Sequence, residues 1–422
     1  MISFSEKKRD LACFITIQEP EGMSHSRHPM WSKPTHHLDV EKASDHVHWV
    51  ELFFDLIHVV TIFLLGNFLS HHLDWAGFWI FTGLFVAIFF AWADSTVYNS
   101  LFISTDLAHR ILMAIQVVTA MFMAAALPAV TGGGWSYFAL AYAVNRTMTA
   151  VLYLRASSTE SAAHVLARRQ GTNFLVLGAV FAVSAFLPQP FGWIVFALGL
   201  AAIQIQYMAP RFGTLRIAHF IPRLGHLSER FGLIMLILLG EGFFKLVVTL
   251  SDKGIYKLGT GALVNLGIGG LSIFMLAWIY FDSVGNARPK SRDIKVLLGW
   301  WLGHLVLMWA TVMLGVALAG EIYAGFAAPY PLGYGLLGTG GLALFILMIW
   351  YLQTLIANRE IVRRHAHGGV RIFGIVIALL LMVIIQHLPG LAANTIFAFA
   401  LWSQIIWPLS RSWRDWKREP SS

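Results

Sequence analysis

About twelve apolar stretches, each close to the length that crosses a bilayer as a helix, dominate this chain of 422 residues. Such a segment spans a membrane as a helix because no water inside the bilayer can satisfy its backbone polar groups. Hydrophobic residues make up 57% of the chain and charged residues 12%, a balance too apolar for a soluble protein of this size. The sequence therefore predicts an all-α membrane protein with about twelve transmembrane helices, at roughly residues 49–70, 75–98, 108–130, 135–155, 172–188, 191–208, 230–250, 260–283, 295–320, 333–356, 370–387 and 390–409.

The connections between these predicted spans alternate in charge. Short connections such as 71–74 and 131–134 carry no Lys or Arg, whereas every second connection is basic, as at Arg168 and Arg169. Because cytosolic loops of membrane proteins carry an excess of Lys and Arg, both termini are expected in the cytosol. The same placement accounts for the net charge of +8 without nucleic acid, so the expected partners are the lipid bilayer and a small-molecule or ion substrate.

Two short sequence patterns recur in the chain and predict an internal repeat. His-x-x-Glu-x-Phe begins at His48 and again at His226, and "FFAWADSTVYN" resembles "LAWIYFDSVGN". An even number of spans in each half gives both halves the same orientation, so we expect two parallel six-helix halves. The predicted organisation is a polar cytosolic N-terminal extension (1–48), a first half (49–208), a basic cytosolic linker (209–229), a second half (230–409) and a basic cytosolic tail with tryptophans (410–422).

The stretches "WVELFFDL", "DLAHRILM", "ERFGLIMLILLGE" and "YFD" resemble the bacterial low-temperature-requirement protein A (LtrA) family, over most of the chain. The resemblance implies an integral protein of the bacterial inner membrane and supplies no reaction. Two places depart from the family pattern: Asp106 stands alone where paired aspartates are frequent, and "LGES" is "LGEG" here. The motif positions that the resemblance implies are Glu51, Asp55, Asp106, Arg110, Glu229, Arg230, Glu241 and Asp282.

The first predicted span carries a polar stripe made of His48, Glu51, Asp55 and His58. Their spacing of 3, 4 and 3 residues puts them within an arc of about 80° on a helix. A charge exposed to lipid at mid-depth costs several kcal/mol, so the stripe is expected to face the bundle interior or a cavity. Two interpretations stay open: these side chains handle ions, or they stabilise the helix start and pair with arginines.

Glu241 lies about halfway through the seventh predicted span, where no helix end or interface can solvate it. Lys245, four residues later, is in the favourable order for an ion pair within a helix. Arg146, midway through the fourth span, needs a counter-charge at similar depth, and Glu241 is the expected one. We therefore expect Arg146 and Lys245 to compete for Glu241, with a structural ion pair as the alternative.

The remaining candidates are charged residues at predicted span ends on the cytosolic side, where they suit a vestibule open to the cytosol. Helix capping is the alternative role for each of them. They are Asp94, Asp282, Asp106, Arg110 and Glu229.

The sequence contains no Walker loop, Rossmann fingerprint, Gly-x-Ser-x-Gly elbow or His-Glu-x-x-His motif, and it has one cysteine. No catalytic residue, metal ligand or cofactor is therefore predicted. The leading hypothesis is a proton- or cation-coupled secondary transporter of unknown substrate. The alternatives are a non-transporting membrane protein that supports growth in the cold, and a membrane-embedded enzyme acting on a lipid or isoprenoid through Glu51, Asp55, His58, Asp94, Asp106 and His109.

Overall fold

A computed structural model describes residues 30–40, 46–158, 161–208, 213–217, 219–257, 259–285, 287–321, 329–357 and 368–418. Within these ranges two short strands, β1 (Thr35–His36) and β2 (Phe102–Ile103), pair antiparallel. The rest is almost entirely helical, so the predicted fold class, an all-α membrane protein, is confirmed. The twelve α-helices of the described ranges are α1 (Trp49–His71), α2 (Trp75–Leu101), α3 (Leu107–Ala126), α4 (Trp135–Ala156), α5 (His164–Phe186), α6 (Phe191–Met208), α7 (Leu224–Lys253), α8 (Thr260–Ser283), α9 (Ile294–Glu321), α10 (Leu332–Gln353), α11 (Gly368–Ile384) and α12 (Gly390–Arg418).

Ten of these helices are long and apolar enough to cross a membrane, by length and composition, within the part of the chain that is described. The two outside this set are α4 and α5, which were also predicted as spans. Polar residues lower their hydropathy: α4 carries Asn145 and Arg146 at its centre, and α5 carries Arg168 and Arg169 in its first turns. These two helices pack along each other inside a multi-pass membrane protein.

Four helices extend by three or more residues beyond the predicted apolar stretches, and one of them, α12, ends at Arg418 inside the range predicted as the tail. α5 begins at His164, before the apolar stretch, because its first turns pack on α4: a methyl group on Gly171 would lie 2.7 Å from Leu154. α7 begins at Leu224, inside the range predicted as linker. α2 ends at Leu101, so Asp94 lies about two turns inside the helix and not at its end.

Helices α1 and α7 pack side by side and run parallel. Arg230 of α7 bonds Glu51 of α1 near one end, and Nζ of Lys245 lies 2.8 Å from the place of a methyl group on Gly66 near the other. The two contacts are 15 residues apart on both helices, so α1 and α7 run in the same direction and stay in contact over about 22 Å at 1.5 Å per residue. We call this contact the α1–α7 seam.

Each of these two helices also has neighbours of its own. α1 packs on α2, α3 and α9, and α7 packs on α2, α8 and α9. Further pairs are α3 with α4, α4 with α5, α5 with α6, α9 with α10, α10 with α11, α11 with α12 and α8 with α12. The seam is therefore enclosed by α2 and α9, which shields its polar side chains from lipid.

Candidate functional site

One end of the α1–α7 seam holds a buried cluster of charges. The guanidinium of Arg230 donates to Glu51 and, at 2.5 Å, to Oδ1 of Asp55. Nε1 of Trp92 on α2 donates to the same Oδ1 at 2.6 Å, and Nε2 of His226 lies 3.1 Å from Oε2 of Glu51. Asp55 and Arg230 are fully buried, and Glu51 is nearly so. We call these five residues the α1–α7 charge cluster.

Two acceptor atoms, one in this cluster and one next to it, have no hydrogen-bond partner within the described ranges. Oδ2 of Asp55 receives no hydrogen bond, although Oδ1 receives two. His58, one turn further along α1, has Nδ1 2.9 Å from the Phe54 carbonyl, so Nδ1 carries the proton and Nε2 of a neutral ring is an open acceptor. The predicted inward orientation of Asp55 and His58 is confirmed, and each presents a free lone pair to the interior.

A second buried ion pair joins α4 to α2. Arg146 donates to Oδ2 of Asp94 at 2.7 Å, to Oδ1 of Asn145 at 2.7 Å, and to two α2 backbone carbonyls at 2.7 and 3.0 Å. Tyr207 of α6 donates to the other oxygen of Asp94 at 2.9 Å. The predicted pairing of Arg146 with Glu241 is wrong, because α2 packs on α4 and Asp94, two turns inside α2, supplies the counter-charge of Arg146.

Glu241 and Lys245 also do not form the predicted salt bridge. Within the described ranges neither has an ion-pair partner, and the buried Oε1 of Glu241 has no hydrogen bond. Lys245 instead reaches across the seam to Gly66, with Nζ 5.3 Å from the centre of the Phe63 ring. Lys245 can approach α1 this closely because Gly66 has no side chain. Since Arg146 pairs with Asp94 and Lys245 points toward Gly66, the expected competition of Arg146 and Lys245 for Glu241 does not occur.

The other end of the seam opens into a cavity of about 470 Å³. Lys245 lies in its wall, deep between the helices, while His71 and Asp252 are exposed at its mouth. We call it the α1–α7 cavity. Its lining residues are Phe63, Asn67, Ser70 and His71 of α1, Lys245, Val248 and Asp252 of α7, Val316, Ala319 and Gly320 of α9, and Tyr334 of α10.

Among the described residues, three of the predicted candidates take part in neither ion pair and do not line the cavity. Glu229 is half-buried on α7, and Arg110 is half-buried on α3. Asp282 is exposed near the end of α8 and accepts a hydrogen bond from Trp278 at 2.6 Å. Asp282 and Asp94 therefore share a sequence pattern but not an environment.

Asp106 caps α3 and holds the segment that precedes α1. It accepts from Ser32 N–H at 3.2 Å, Ser104 Oγ at 2.9 Å, His109 N–H at 3.2 Å and Arg155 at 2.8 Å. The Trp31 ring covers the Arg155 guanidinium at 4.7 Å. Burial acts to raise the pKa of Asp106, but these hydrogen bonds and Arg155 hold it below its ordinary value. The carboxylate is thus kept ionised as the anchor of residues 30–40.

Asp106→Ala is expected to release that anchor. The loss of the cap costs about 0.5–2 kcal/mol of helix stability, and residues 31–40 should exchange their amide hydrogens at least tenfold faster in hydrogen–deuterium exchange of the purified protein. Because the pKa of Asp106 is lowered in the folded state, the same segment should loosen in the unmodified protein as the pH falls below the ordinary range of an aspartate. Asp39→Ala, a change within the same segment, is the control; equal exchange in Asp106→Ala and the unmodified protein would contradict this role.

Among the described residues, no three His, Cys, Asp or Glu side chains lie close enough together to hold a metal ion. The residues considered for a membrane-embedded enzyme site are divided among arginines: Glu51 and Asp55 with Arg230, Asp94 with Arg146, and Asp106 with Arg155. The geometry therefore favours charge pairing between helices over a shared acid–base or metal site.

The sequence patterns did not identify Trp92, Tyr207 or His226 as contributors to the two ion pairs. A signal was present for Trp92 and His226, since Trp92 belongs to the "AWADS" pattern and His226 begins the repeated His-x-x-Glu-x-Phe. Tyr207 lies in an apolar helix, and its contact with Asp94 follows only from how α6 packs.

The whole α1–α7 seam lies within a range that matches a known protein family. A family model described as bacterial low temperature requirement A protein (LtrA) matches residues 46–407. A search of curated proteins gave no match. The matched range begins just before α1 and ends inside α12, so it contains both ion pairs and the α1–α7 cavity, and it confirms the resemblance seen in the motifs. The chain therefore belongs to the bacterial low temperature requirement A protein (LtrA) family.

Proposed function

We propose that this protein is a proton- or cation-coupled secondary transporter of a small solute, with α1 and α7 as its moving interface. In this proposal it lies in the bacterial inner membrane with both termini in the cytosol, the orientation that the basic connections favour. The charge cluster is then near the cytosolic side, and the mouth of the α1–α7 cavity is on the opposite side.

The observation that carries the proposal is the polar seam between two parallel helices from different halves of the chain. Arg230 of the second half lies between Glu51 and Asp55 of the first, and all three are buried. Buried ionisable groups are costly, and in membrane proteins they often mark ion and substrate pathways. The α1–α7 cavity lies further along the same seam, so a charge change at one end can act on a ligand site at the other.

The helix neighbours support two parallel halves. α1 packs on α2 and α3 as α7 packs on α8 and α9, and the α3–α4–α5–α6 series of neighbours is repeated by α9–α10–α11–α12. Halves related by an axis along the membrane normal occur in established secondary transporters, which change access by moving one half against the other.

Asp55 is the residue at which coupling would occur. Its Oδ2 is an open acceptor, so a proton or a small cation bound there weakens the attraction of Asp55 for Arg230. Glu51 is then the one full negative charge left beside Arg230, and one of the two ion pairs that Arg230 makes with α1 is weakened. Binding of the coupling ion thereby biases the separation of the two helices, which is the link that coupled transport requires.

Proteoliposomes with a trapped pH-sensitive dye test this proposal. A panel of small solutes is added outside, and a solute-dependent proton or cation flux is expected for the unmodified protein. Asp55→Asn keeps the shape and an acceptor for Trp92 but cannot exchange a proton, so the coupled flux should fall at least tenfold. The matched control is Asp282→Asn, which alters an exposed carboxylate outside the seam.

No solute-dependent flux under either a proton or a cation gradient, or an unchanged flux in Asp55→Asn, would contradict the proposal. In that case the charge cluster is a structural joint, and the non-transporting alternative is favoured. Glu241→Gln, which changes the half-buried carboxylate on α7, shows whether Glu241 contributes to the same coupling.

A further inference from the structure

Lys245 is a buried cation without a protein anion bound to it. Its residue is 8% exposed, and Nζ has no hydrogen-bond or salt-bridge partner in the part of the chain that the structure describes. Glu241, one turn earlier, attracts it electrostatically but is beyond salt-bridge distance. An ammonium largely withdrawn from water without a bonded counter-charge is costly, so an anion that enters the cavity would be a favourable partner.

We infer that the α1–α7 cavity binds a small organic molecule with a single anionic group, and that Nζ of Lys245 holds the anionic oxygens. The inference of binding stands on the cavity alone; that this molecule is the transported substrate rests on the proposed function.

The size of the cavity supports an organic ligand. A volume of about 470 Å³ lies within the range of about 300–1,000 Å³ for small-molecule sites, and it exceeds the space that a single inorganic ion needs. Asn67 adds a side-chain amide to the wall of the cavity, and an amide can both donate to a ligand and accept from it.

The charges around the cavity argue for one anionic group and not two. Lys245 is its one buried cation among the described lining residues, whereas the carboxylate of Asp252 lies exposed at the mouth. A second anionic group near the mouth would be repelled by Asp252, and His71, the other ionisable residue exposed there, has no permanent positive charge to offset this repulsion. A neutral or cationic end would be tolerated there. The ligand class is therefore a monocarboxylate or a phosphate ester of small size, oriented with its anionic end inward.

Gly66 is the second element of this site. A methyl group there would lie 2.8 Å from Nζ and 3.4 Å from Cε of Lys245 and 3.3 Å from Val316. Any larger residue at position 66 therefore displaces the ammonium from its present place. A substitution of Gly66 therefore tests the role of Lys245 from a different helix and without a change of charge.

The experiment measures thermal unfolding of the purified full chain in detergent micelles, at constant ionic strength and neutral pH. Lactate and glycerol 3-phosphate are the probes, and glycerol is the neutral match. A ligand that binds the folded state raises the unfolding temperature with its concentration. Both anions are expected to raise it in the unmodified protein, and glycerol is expected not to.

Three variants assign the effect to the cavity. Lys245→Met should abolish the concentration dependence, and Gly66→Ala should weaken the apparent affinity at least tenfold. Lys257→Met removes the same charge from an exposed lysine and should leave the affinity unchanged. Gly66→Ala retains the charge of Lys245, so it decides the question if Lys245→Met does not fold.

The inference is overturned if neither anion shifts the unfolding temperature, or if Gly66→Ala and Lys245→Met respond like the unmodified protein. A further titration with phosphatidylglycerol separates two sources of an anionic group: stabilisation by the lipid but by neither soluble probe also overturns it. Lys245-dependent binding without any flux in proteoliposomes would support the site and contradict transport. Coupled flux without anion binding would support transport and contradict the site.

Discussion

Arg230→Met is expected to lower the free energy of unfolding by about 3–5 kcal/mol, the range for breaking a buried ion pair by removing one partner. The substitution keeps most of the side-chain volume but leaves Glu51 and Asp55 buried without their shared cation. Trp92 and His226 remain near the two carboxylates, and neither supplies a permanent positive charge. The free energy of unfolding is measured by SDS titration of the purified protein in mixed micelles, with tryptophan fluorescence as the signal.

A matched set of variants separates charge from packing. Arg168→Met removes an exposed arginine on α5 and should change the free energy of unfolding by less than about 0.5 kcal/mol. The triple variant Glu51→Gln, Asp55→Asn, Arg230→Met leaves no uncompensated charge in the cluster and should recover most of the loss. If Arg230→Met is as stable as the unmodified protein, the two carboxylates do not depend on this arginine and the described cluster is wrong.

Asp94→Ala is the second substitution with a large expected effect. It leaves the Arg146 guanidinium fully buried, with two carbonyls and Asn145 but no anion, and it removes the acceptor of the Tyr207 hydroxyl. The expected loss is again about 3–5 kcal/mol. The same SDS titration measures it, and the fraction of protein that elutes as a single species in size-exclusion chromatography should fall in parallel.

Asp282→Ala is the informative comparison, because Asp282 occupies the related sequence pattern in the second half. It is exposed and accepts one hydrogen bond from Trp278, so its replacement should cost less than about 0.5 kcal/mol. A loss at Asp282 equal to that at Asp94 would contradict the difference in environment. Sequence similarity alone would have predicted equal effects.

The helices and the orientation of their polar faces could be predicted from the sequence. Apolar stretches indicated the positions of the twelve described helices, although α4 and α5 are less apolar than the other ten. The 3, 4, 3 spacing on α1 correctly predicted that Asp55 and His58 face inward. Both properties are local, since they depend on hydropathy and on the 3.6-residue period of one helix.

The partners of the buried charges could not be predicted in the same way. Pairing depends on the depth of each residue and on which helices are neighbours, and small errors in helix ends change both. The packing of α2 on α4 brings Asp94 to Arg146, and the packing of α7 on α1 brings Arg230 to Glu51. The reach of Lys245 toward Gly66 depends on a missing side chain on another helix, which no pattern within α7 could reveal.

The spacing of contacts along the α1–α7 seam gives it the geometry of a lever. If α7 pivots at the bonds of Arg230, a tilt of about 10° moves the part of α7 that lies opposite Gly66, about 22 Å away, by roughly 4 Å. A displacement of that size is larger than the diameter of a water molecule and carries Lys245 with it. In the proposed transporter, a small angular change at the Arg230 end of the seam would thereby open the Lys245 end.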